Sequence, residues 1–214
     1  SKGETVAIVG ESGSGKSVIS QSIMGILPKN GSVAKGQIKF YDPKHSFKET
    51  IITSIKNNSP EMRKVRGSGI SIIFQEPMTS LSPLHTIGNQ ISEAYSIHNK
   101  SKKNESLKAT KEILQLVGFP NAHKAIDSFP FELSGGLRQR AMIAMAMICK
   151  PSLLIADEPT TALDVTVQKE IIQLIKDLQK SENLSVLFIS HDLALVRKLA
   201  DKIIIIKEGS IVEE

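Results

Sequence analysis

Short apolar runs rich in β-branched residues recur along the chain, and they alternate with stretches whose apolar positions have helical spacing. Runs of this kind, bounded by turn residues, are typical of buried strands. Strands are predicted at residues 5–9, 37–40, 70–74, 153–156, 185–189 and 203–206. Because helical segments separate most of these strands, the pattern predicts an α/β fold with a parallel sheet.

The helical segments are predicted from apolar positions three or four residues apart. The first begins at Lys16 and continues to Leu27, because Pro28 ends the pattern. Amphipathic pieces separated by polar loops predict a helical lobe between residues 86 and 126. Further helices are predicted at residues 137–149, 167–178 and 193–199. We therefore expect a sheet covered by helices, with one separate helical lobe.

The amino-acid composition indicates a globular protein and disfavours one kind of nucleic-acid-binding surface. The 214 residues are 40% hydrophobic and 23% charged, which is ordinary for a globular domain. Aromatic residues make up 4% and Trp is absent, which disfavours a stacking platform for single-stranded nucleic acid. The net charge of +5 suits anionic ligands or an anionic membrane surface, although scattered Lys residues are equally typical of a solvated surface.

The cysteine count and the hydropathy of the chain indicate the cellular compartment in which the protein is expected to lie. Cys149 is the single cysteine, so the chain can form no internal disulfide, which fits a reducing cytosol. No stretch approaches the roughly 20 apolar residues that a membrane-spanning helix needs. Any role at a membrane is therefore expected to come through a partner protein.

Residues 10–17 match the pattern G-x-x-x-x-G-K-[ST] of the P-loop, between a predicted strand and a predicted helix. Glycines let consecutive backbone N–H groups turn toward one phosphate, and the helix N-terminus adds partial positive charge. Lys16 would contact the β- and γ-phosphates, and the Ser17 hydroxyl would bind Mg²⁺. The predicted nucleotide-binding residues are Gly10, Glu11, Ser12, Gly13, Ser14, Gly15, Lys16 and Ser17.

Two adjacent carboxylates end the apolar strand at residues 153–156. In P-loop proteins a carboxylate at the end of such a strand helps to hold Mg²⁺, and this role is assigned to Asp157. Glu158 is predicted to activate the attacking water as a general base. An acidic turn before a helix would also place these residues here, but it would not account for their pairing with a P-loop. No guanine-reading Asn-Lys-x-Asp motif is present, which disfavours a GTPase.

Residues 133–136, Leu-Ser-Gly-Gly, precede a predicted helix and resemble the signature motif LSGGQ of the ABC family of ATPases. In that family the motif closes over the γ-phosphate of ATP held by an opposing subunit, so the resemblance assigns nucleotide contacts to Ser134, Gly135 and Gly136. A hydroxyl, glycine N–H groups and a helix N-terminus suit an anion. The fifth position is Leu137 instead of Gln; an apolar residue is frequent there in this branch and is not expected to inactivate the site.

Three more motifs occur along the chain in the order in which the ABC family has them. Gln75 resembles the Q-loop glutamine near Mg²⁺ and the attacking water, residues 161–164 resemble the D-loop of the dimer interface, and His191 resembles the switch histidine at the γ-phosphate. The resemblance implies ATP and Mg²⁺ as cofactors. It assigns catalysis to Lys16, Gln75, Glu158 and His191, metal binding to Ser17, Gln75 and Asp157, and a nucleotide contact to Asp164.

The resemblance covers essentially the whole chain and implies its architecture. We expect a P-loop NTPase (RecA-like) parallel sheet core with an α-helical signature lobe and a partial antiparallel β subdomain. Residues 1–75 would form the P-loop core with the partial β subdomain, residues 76–150 the signature lobe, and residues 151–214 the second half of the core.

Within the family, residues 75–83, 129–136 and 155–166 resemble the ATPases of oligopeptide, dipeptide and nickel importers, in particular their "D"-type subunit. This implies a peripheral subunit at the cytoplasmic face of a bacterial membrane, without nucleic acid. The implied partners are a second ABC ATPase, two transmembrane permease subunits and an external substrate-binding protein. Peptide or nickel as cargo, and a homodimer or heterodimer, remain open.

One alternative is a soluble ABC ATPase acting on nucleic acid or ribosomes. Such proteins typically carry two cassettes or a long coiled-coil insert, and the sequence between residues 74 and 133 has no such insert. A second alternative is a regulatory module that binds ATP without turnover. The presence of Lys16, Asp157, Glu158 and His191 disfavours it.

The resemblance also leads us to expect that these 214 residues are a core truncated at both ends. The family's first strands, and the aromatic residue that stacks on adenine, would lie upstream of the first residue. A C-terminal extension would follow the last one. Because the base would lose its stacking partner, we expect these residues alone to bind nucleotide weakly.

Overall fold

The computed structural model describes residues 2–46, 48–76, 80–99, 101–161 and 163–214, apart from the side chain of His45. Its strands are β1 (Thr5–Val9), β2 (Lys39–Asp42), β3 (Lys48–Ile51), β4 (Ile70–Ile73), β5 (Leu153–Asp157), β6 (Ser185–Ser190), β7 (Lys202–Lys207) and β8 (Ser210–Glu213). The helices are α1 (Lys16–Met24), α2 (Pro60–Val65), α3 (Ile87–Asn99), α4 (Lys103–Leu116), α5 (Ala122–Ala125), α6 (Gly135–Met147), α7 (Val165–Glu182) and α8 (Leu193–Val196).

Six strands form one sheet in the order β4-β5-β6-β1-β7-β8. The first five strands in that order pair in parallel, and β8 closes the edge by pairing antiparallel with β7. Strands β2 and β3 form a separate antiparallel pair. The α/β prediction with a mainly parallel sheet is therefore confirmed.

The sheet separates two apolar clusters, because successive side chains of a strand point to opposite faces. On one face Leu154 and Ala156 of β5 lie in the cluster that includes buried residues of α3, α4, α6 and α7. On the other face Ile155 lies with Met24 of α1 and Met62 of α2. Both faces of β5 are therefore buried, which explains its unbroken apolar sequence.

Several predicted helix boundaries were wrong. Helix α6 ends two residues before its predicted end, and α7 extends beyond its predicted range at both ends. Helix α1 ends at Met24, well before Pro28, because Gly25 adopts φ 61° and its N–H caps the last turn. Helix α6 begins two residues earlier than predicted, since the Ser134 side chain caps it and the glycines join its first turn. Helix α8 ends at Val196, after which residues 197–199 continue as turns.

The parallel strands bring the carboxyl ends of β1 and β5 to the same edge of the sheet. The loop after β1 leads directly into α1, and the loop after β5 leads toward α7. Loops at this edge are the usual place for a ligand site in an α/β sheet. Among the described residues, no helix has both the length and the hydrophobicity needed to cross a bilayer.

Candidate active site

The P-loop lies between β1 and α1 and depends on glycine at two positive φ angles. Gly13 has φ 82° and Gly15, the residue before α1, has φ 97°. Other residues rarely adopt these angles, so the sequence bends here where glycine permits it. Gly15 leads directly into α1, and the first N–H groups of a helix can bind an anion at its N-terminus.

Lys16 begins α1 but its side chain folds back under the loop. It is 5% exposed, and its Nζ donates hydrogen bonds of 2.8 Å to the carbonyl oxygens of Gly10 and Glu11. A buried ammonium group is tolerable because these acceptors replace water. The charge is therefore already positioned at the loop.

A cleft of about 510 Å³ opens above the loop. It is lined by Ser12, Gly13, Gly15, Lys16, Ser17, Val18, Gln75, Glu158, Thr161 and His191. The structure thus brings together residues that the sequence separates by more than 170 positions. The cleft is of the size typical of small-molecule sites.

Asp157 ends β5 with its carboxylate against α1. It is 6% exposed, and its Oδ1 accepts a hydrogen bond of 3.1 Å from Ser17 Oγ. Its Oδ2 accepts one of 2.8 Å from Ser20 Oγ, a contact that sequence reasoning missed. Ser20 is buried on α1, and the signal that could have identified it is a polar residue among the apolar positions of that helix.

The oxygen atoms of Ser17 and Asp157 fit a magnesium ion better than a transition metal. Mg²⁺ uses few protein carboxylates and fills its remaining positions with water and substrate phosphates. Within the described part of the chain, no group of three or more His, Cys, Asp or Glu residues could hold a metal ion by itself. Gln75, the third predicted ligand, directs its amide toward Glu158.

Glu158 follows Asp157 with φ 47°, an uncommon angle for a residue other than glycine. Three donors converge on its Oε2: Gln75 Nε2 at 3.2 Å, Thr161 Oγ1 at 3.1 Å and His191 Nδ1 at 3.2 Å. His191 Nδ1 donates this hydrogen bond when it carries the ring proton. The carboxylate is therefore fixed toward the cleft by groups from three loops, of which Thr161 was not predicted to contact it.

The remaining predicted site residues do not line this cleft. Ser134 and Gly135 are exposed at the start of α6, and Gly136 is half-buried against Val167. Asp164 is exposed and caps α7, its Oδ1 accepting from the N–H groups of two residues of the first turn. In the P-loop itself, Glu11 is exposed, while Ser14 is buried. Four residues of the predicted motifs lie outside the described residues: Pro77, Met78, Thr79 and Ala162.

Comparison with known sequences gives related proteins along the whole chain. The oligopeptide transport ATP-binding protein AppD of Bacillus subtilis (strain 168) is 50% identical over 214 residues, covering 100% of this chain and 62% of AppD. The glutathione import ATP-binding protein GsiA of Escherichia coli (strain K12) is 46% identical over 212 residues, covering 99% of this chain and 34% of GsiA. The chain thus spans less than two thirds of these relatives.

Comparison with solved structures gives similar folds. The ATP-binding cassette MJ0796, described as a dimer in a post-hydrolysis state bound to ADP and Pi, matches with a TM-score of 0.82 at 27% identity. The match covers 100% of this chain and 85% of that one. CbiO1 from Clostridium perfringens, part of an ABC transporter complex, matches with a TM-score of 0.73 at 25% identity, covering 99% of this chain and 76% of that one.

Residues 1–161 match the protein family described as ABC transporter. That match spans most of the chain and includes the P-loop, the motif at the start of α6, Asp157 at the end of β5 and Glu158 after it. The peptide-transport relatives and the cassette structures agree with it. The chain therefore belongs to the ABC transporter family of ATP-binding proteins.

Proposed function

We propose that this chain is the ATP-binding and ATP-hydrolysing part of a bacterial ABC importer subunit that powers peptide uptake. The observation that carries the proposal is the single cleft in which the P-loop, Gln75, Glu158 and His191 meet. The names of the relatives support transport of peptides, since AppD and OppD of Bacillus subtilis are both oligopeptide transport ATP-binding proteins.

Binding would begin at the P-loop. The backbone N–H groups of residues 13–17 and the N-terminus of α1 would surround the β-phosphate, and Lys16 would exchange its carbonyl contacts for phosphate oxygens. Because the Lys16 side chain is already ordered at the loop, it would lose little conformational entropy when nucleotide binds. Val18, 54% exposed beside the cleft, would leave room for the rest of the nucleotide.

Ser17 and Asp157 would hold magnesium at the inner end of the cleft. When bound, the ion would neutralise charge on the β- and γ-phosphates during transfer. The Ser17 hydroxyl now donates to Asp157 Oδ1. Donation uses the proton of the hydroxyl and leaves its oxygen lone pairs available to a cation.

Glu158 would accept a proton from the attacking water as general base. Its Oε2 is held by Gln75, Thr161 and His191. These contacts would direct the other carboxylate oxygen toward the water. Gln75 and His191 also line the cleft, where they would contact the water or the γ-phosphate.

The signature residues would act on a second subunit. Ser134 and Gly135 are exposed outside this cleft, so their N–H groups and hydroxyl are available to the γ-phosphate bound by an opposing ATPase. Asp164 would lie near the interface of that dimer. The dimeric structure of the cassette MJ0796 supports such an assembly.

The complete importer would combine this ATPase and a homologous or identical one with two transmembrane permease subunits and an external substrate-binding protein. It would lie at the cytoplasmic face of the membrane. Peptide is the first proposed cargo and nickel or a metal chelate the second. Uptake of labelled peptide and of ⁶³Ni²⁺ by cells lacking the gene would distinguish the two.

Lys16→Ala is expected to abolish peptide uptake while the protein remains folded. Removing a charged donor to phosphate costs about 1.5–3 kcal/mol, which corresponds to roughly 10–150-fold in ATP affinity. The measurement is titration with ATP in Mg²⁺, combined with complementation of a deletion strain by the full-length protein. Lys35→Ala, on an exposed loop, is the control. Normal ATP binding and normal uptake by Lys16→Ala would contradict the proposal.

Thr161→Val is expected to lower ATP turnover about tenfold and to leave ATP affinity unchanged. Valine keeps the shape but loses the hydroxyl that donates to Glu158 Oε2, a bond to a charged group worth about 1.5–3 kcal/mol. Steady-state turnover and equilibrium nucleotide binding separate the two effects. Thr161→Ser, which keeps the donor, should restore turnover; equal losses in both variants would rule out this role.

A further inference from the structure

Ser20 lies one turn after the P-loop on α1 and is fully buried, with 0% of its surface exposed. It faces the end of β5, where its Oγ is 2.8 Å from Asp157 Oδ2 and also 2.8 Å from the carbonyl oxygen of Ser17. A hydroxyl carries one proton and can donate to one acceptor at a time. The carboxylate is the stronger acceptor because a bond to an ionised oxygen is charge-assisted.

The Asp157 carboxylate is therefore held at both oxygens by neighbouring turns of one helix. Ser17 donates to Oδ1 and Ser20 to Oδ2. Rotation of an aspartate carboxylate about its last torsion is otherwise soft, since terminal torsions of this kind have broad minima. Two donors on opposite oxygens remove that freedom and fix which oxygen lies beside Ser17.

A hydroxyl without a hydrogen-bond partner would be energetically costly in the surroundings of Ser20. Neighbouring residues Ile19, Ile23 and Met24 of α1 pack in the apolar cluster that also contains Ile155 of β5. An apolar side chain would suit such a position, whereas a hydroxyl there needs a partner to replace water. The partner that the fold supplies is the carboxylate assigned to magnesium.

We propose that Ser20 is a positioning residue for the divalent-cation site: it holds Asp157 so that Oδ1 is presented beside Ser17 at the inner end of the cleft. This inference rests on the proposed function, because it assumes that nucleotide binds with Mg²⁺ at Ser17 and Asp157. Ser20 itself touches neither nucleotide nor metal. Its effect is on the orientation of a ligand, as is common for groups that hydrogen-bond to metal ligands.

The test is Ser20→Ala in the full-length protein, with ATP binding measured by calorimetry in excess Mg²⁺ and again in EDTA. We expect affinity in Mg²⁺ to fall about 10–100-fold, the usual loss when a group that orients a metal ligand is removed. Affinity in EDTA should match that of the unchanged protein, because the P-loop contacts remain. The Mg²⁺ concentration that gives half-maximal binding should rise in parallel.

Ser22→Ala is the matched control on the same helix. Among the described residues its hydroxyl donates to the Val18 carbonyl, 2.7 Å away on the exposed side, so the same substitution removes a hydroxyl without touching Asp157. Ser20→Cys fills nearly the same volume with a weaker donor. It should give the same selective loss in Mg²⁺, so that a cavity left by alanine cannot account for the result.

Unchanged affinity in Mg²⁺ for Ser20→Ala would overturn the inference. An equal loss in Mg²⁺ and EDTA would overturn it too, since Ser20 would then support the loop or the fold and not the cation. Failure of the proposed function has a different signature. In that case the unchanged protein would itself bind ATP in neither condition, or would gain nothing from Mg²⁺.

Discussion

Glu158→Gln in the complete protein is expected to reduce ATP hydrolysis about 10²–10⁴-fold, the contribution typical of a general base. This corresponds to a barrier increase of about 3–5 kcal/mol. Glutamine keeps the size of the side chain and can still accept a hydrogen bond through its amide oxygen, but it cannot take a proton from water. ATP binding and the ATP-bound dimer should therefore persist.

Single-turnover hydrolysis, nucleotide titration and size-exclusion chromatography with ATP measure these three properties. Glu112→Gln is the control, because that carboxylate is 65% exposed on α4 and pairs only loosely with Lys108 at 3.9 Å. Undiminished turnover in Glu158→Gln would show that another residue acts as the base. Loss of ATP binding would instead mean that the Glu158 charge supports the P-loop.

Gly10→Ala is expected to have the second-largest effect, on nucleotide affinity. A Cβ at this position would lie 2.3 Å from the backbone oxygen of Ile206 and 2.6 Å from Ser14 Oγ. A backbone atom of β7 cannot move aside without shifting the sheet, so the P-loop itself must move. A displacement of about 1 Å at a reacting or binding group can cost on the order of 10²-fold. Overpacking should also cost about 1–3 kcal/mol of stability.

Nucleotide titration and thermal unfolding of Gly10→Ala test this expectation. Gly36→Ala is the control: Gly36 has φ 88°, and no atom of the described residues lies within 4 Å of its added Cβ, so it reports backbone strain without a clash. Gly10 lies outside the positive φ range, so the two variants separate the two effects. Binding by Gly10→Ala equal to that of the unchanged protein would contradict the close packing of the loop on β7.

The sequence predicted the five parallel strands well, because a buried strand in a parallel sheet is a continuous apolar run of definite length. It did not predict the antiparallel strands β3 and β8, and β2 lies two residues later than predicted. The run at residues 153–156 and its two carboxylates became β5 with Asp157 at its end. Helix ends were predicted less well, because caps depend on single residues. Helix α1 ends at a cap by Gly25, before Pro28 is reached, and α6 begins early because the Ser134 side chain caps it.

The sequence analysis missed two side-chain contacts to the carboxylates, one within a single loop and one between distant segments. Thr161 lies only three residues after Glu158, but no residue pattern indicates that their side chains meet in this turn. Ser20 is 137 positions from Asp157 and differs from its apolar neighbours only by one polar atom. Thr161 contacts a carboxylate of its own loop, whereas Ser20 contacts one at the end of β5. A pattern of periods and caps describes one segment at a time, so it cannot supply such pairs.

The sequence by itself determined the P-loop, the order of the elements and the family resemblance, because these depend on residues adjacent in the chain. Only the tertiary structure decided that Ser17 and Ser20 would share the carboxylate of Asp157, that Gly10 must be small because the backbone of Ile206 lies against it, and that residues 134–136 would lie outside the cleft. The physical reason is that parallel pairing brings segments remote in sequence to one edge of the sheet. Which of the side chains at that edge then bond to each other depends on hydrogen-bond distances and angles.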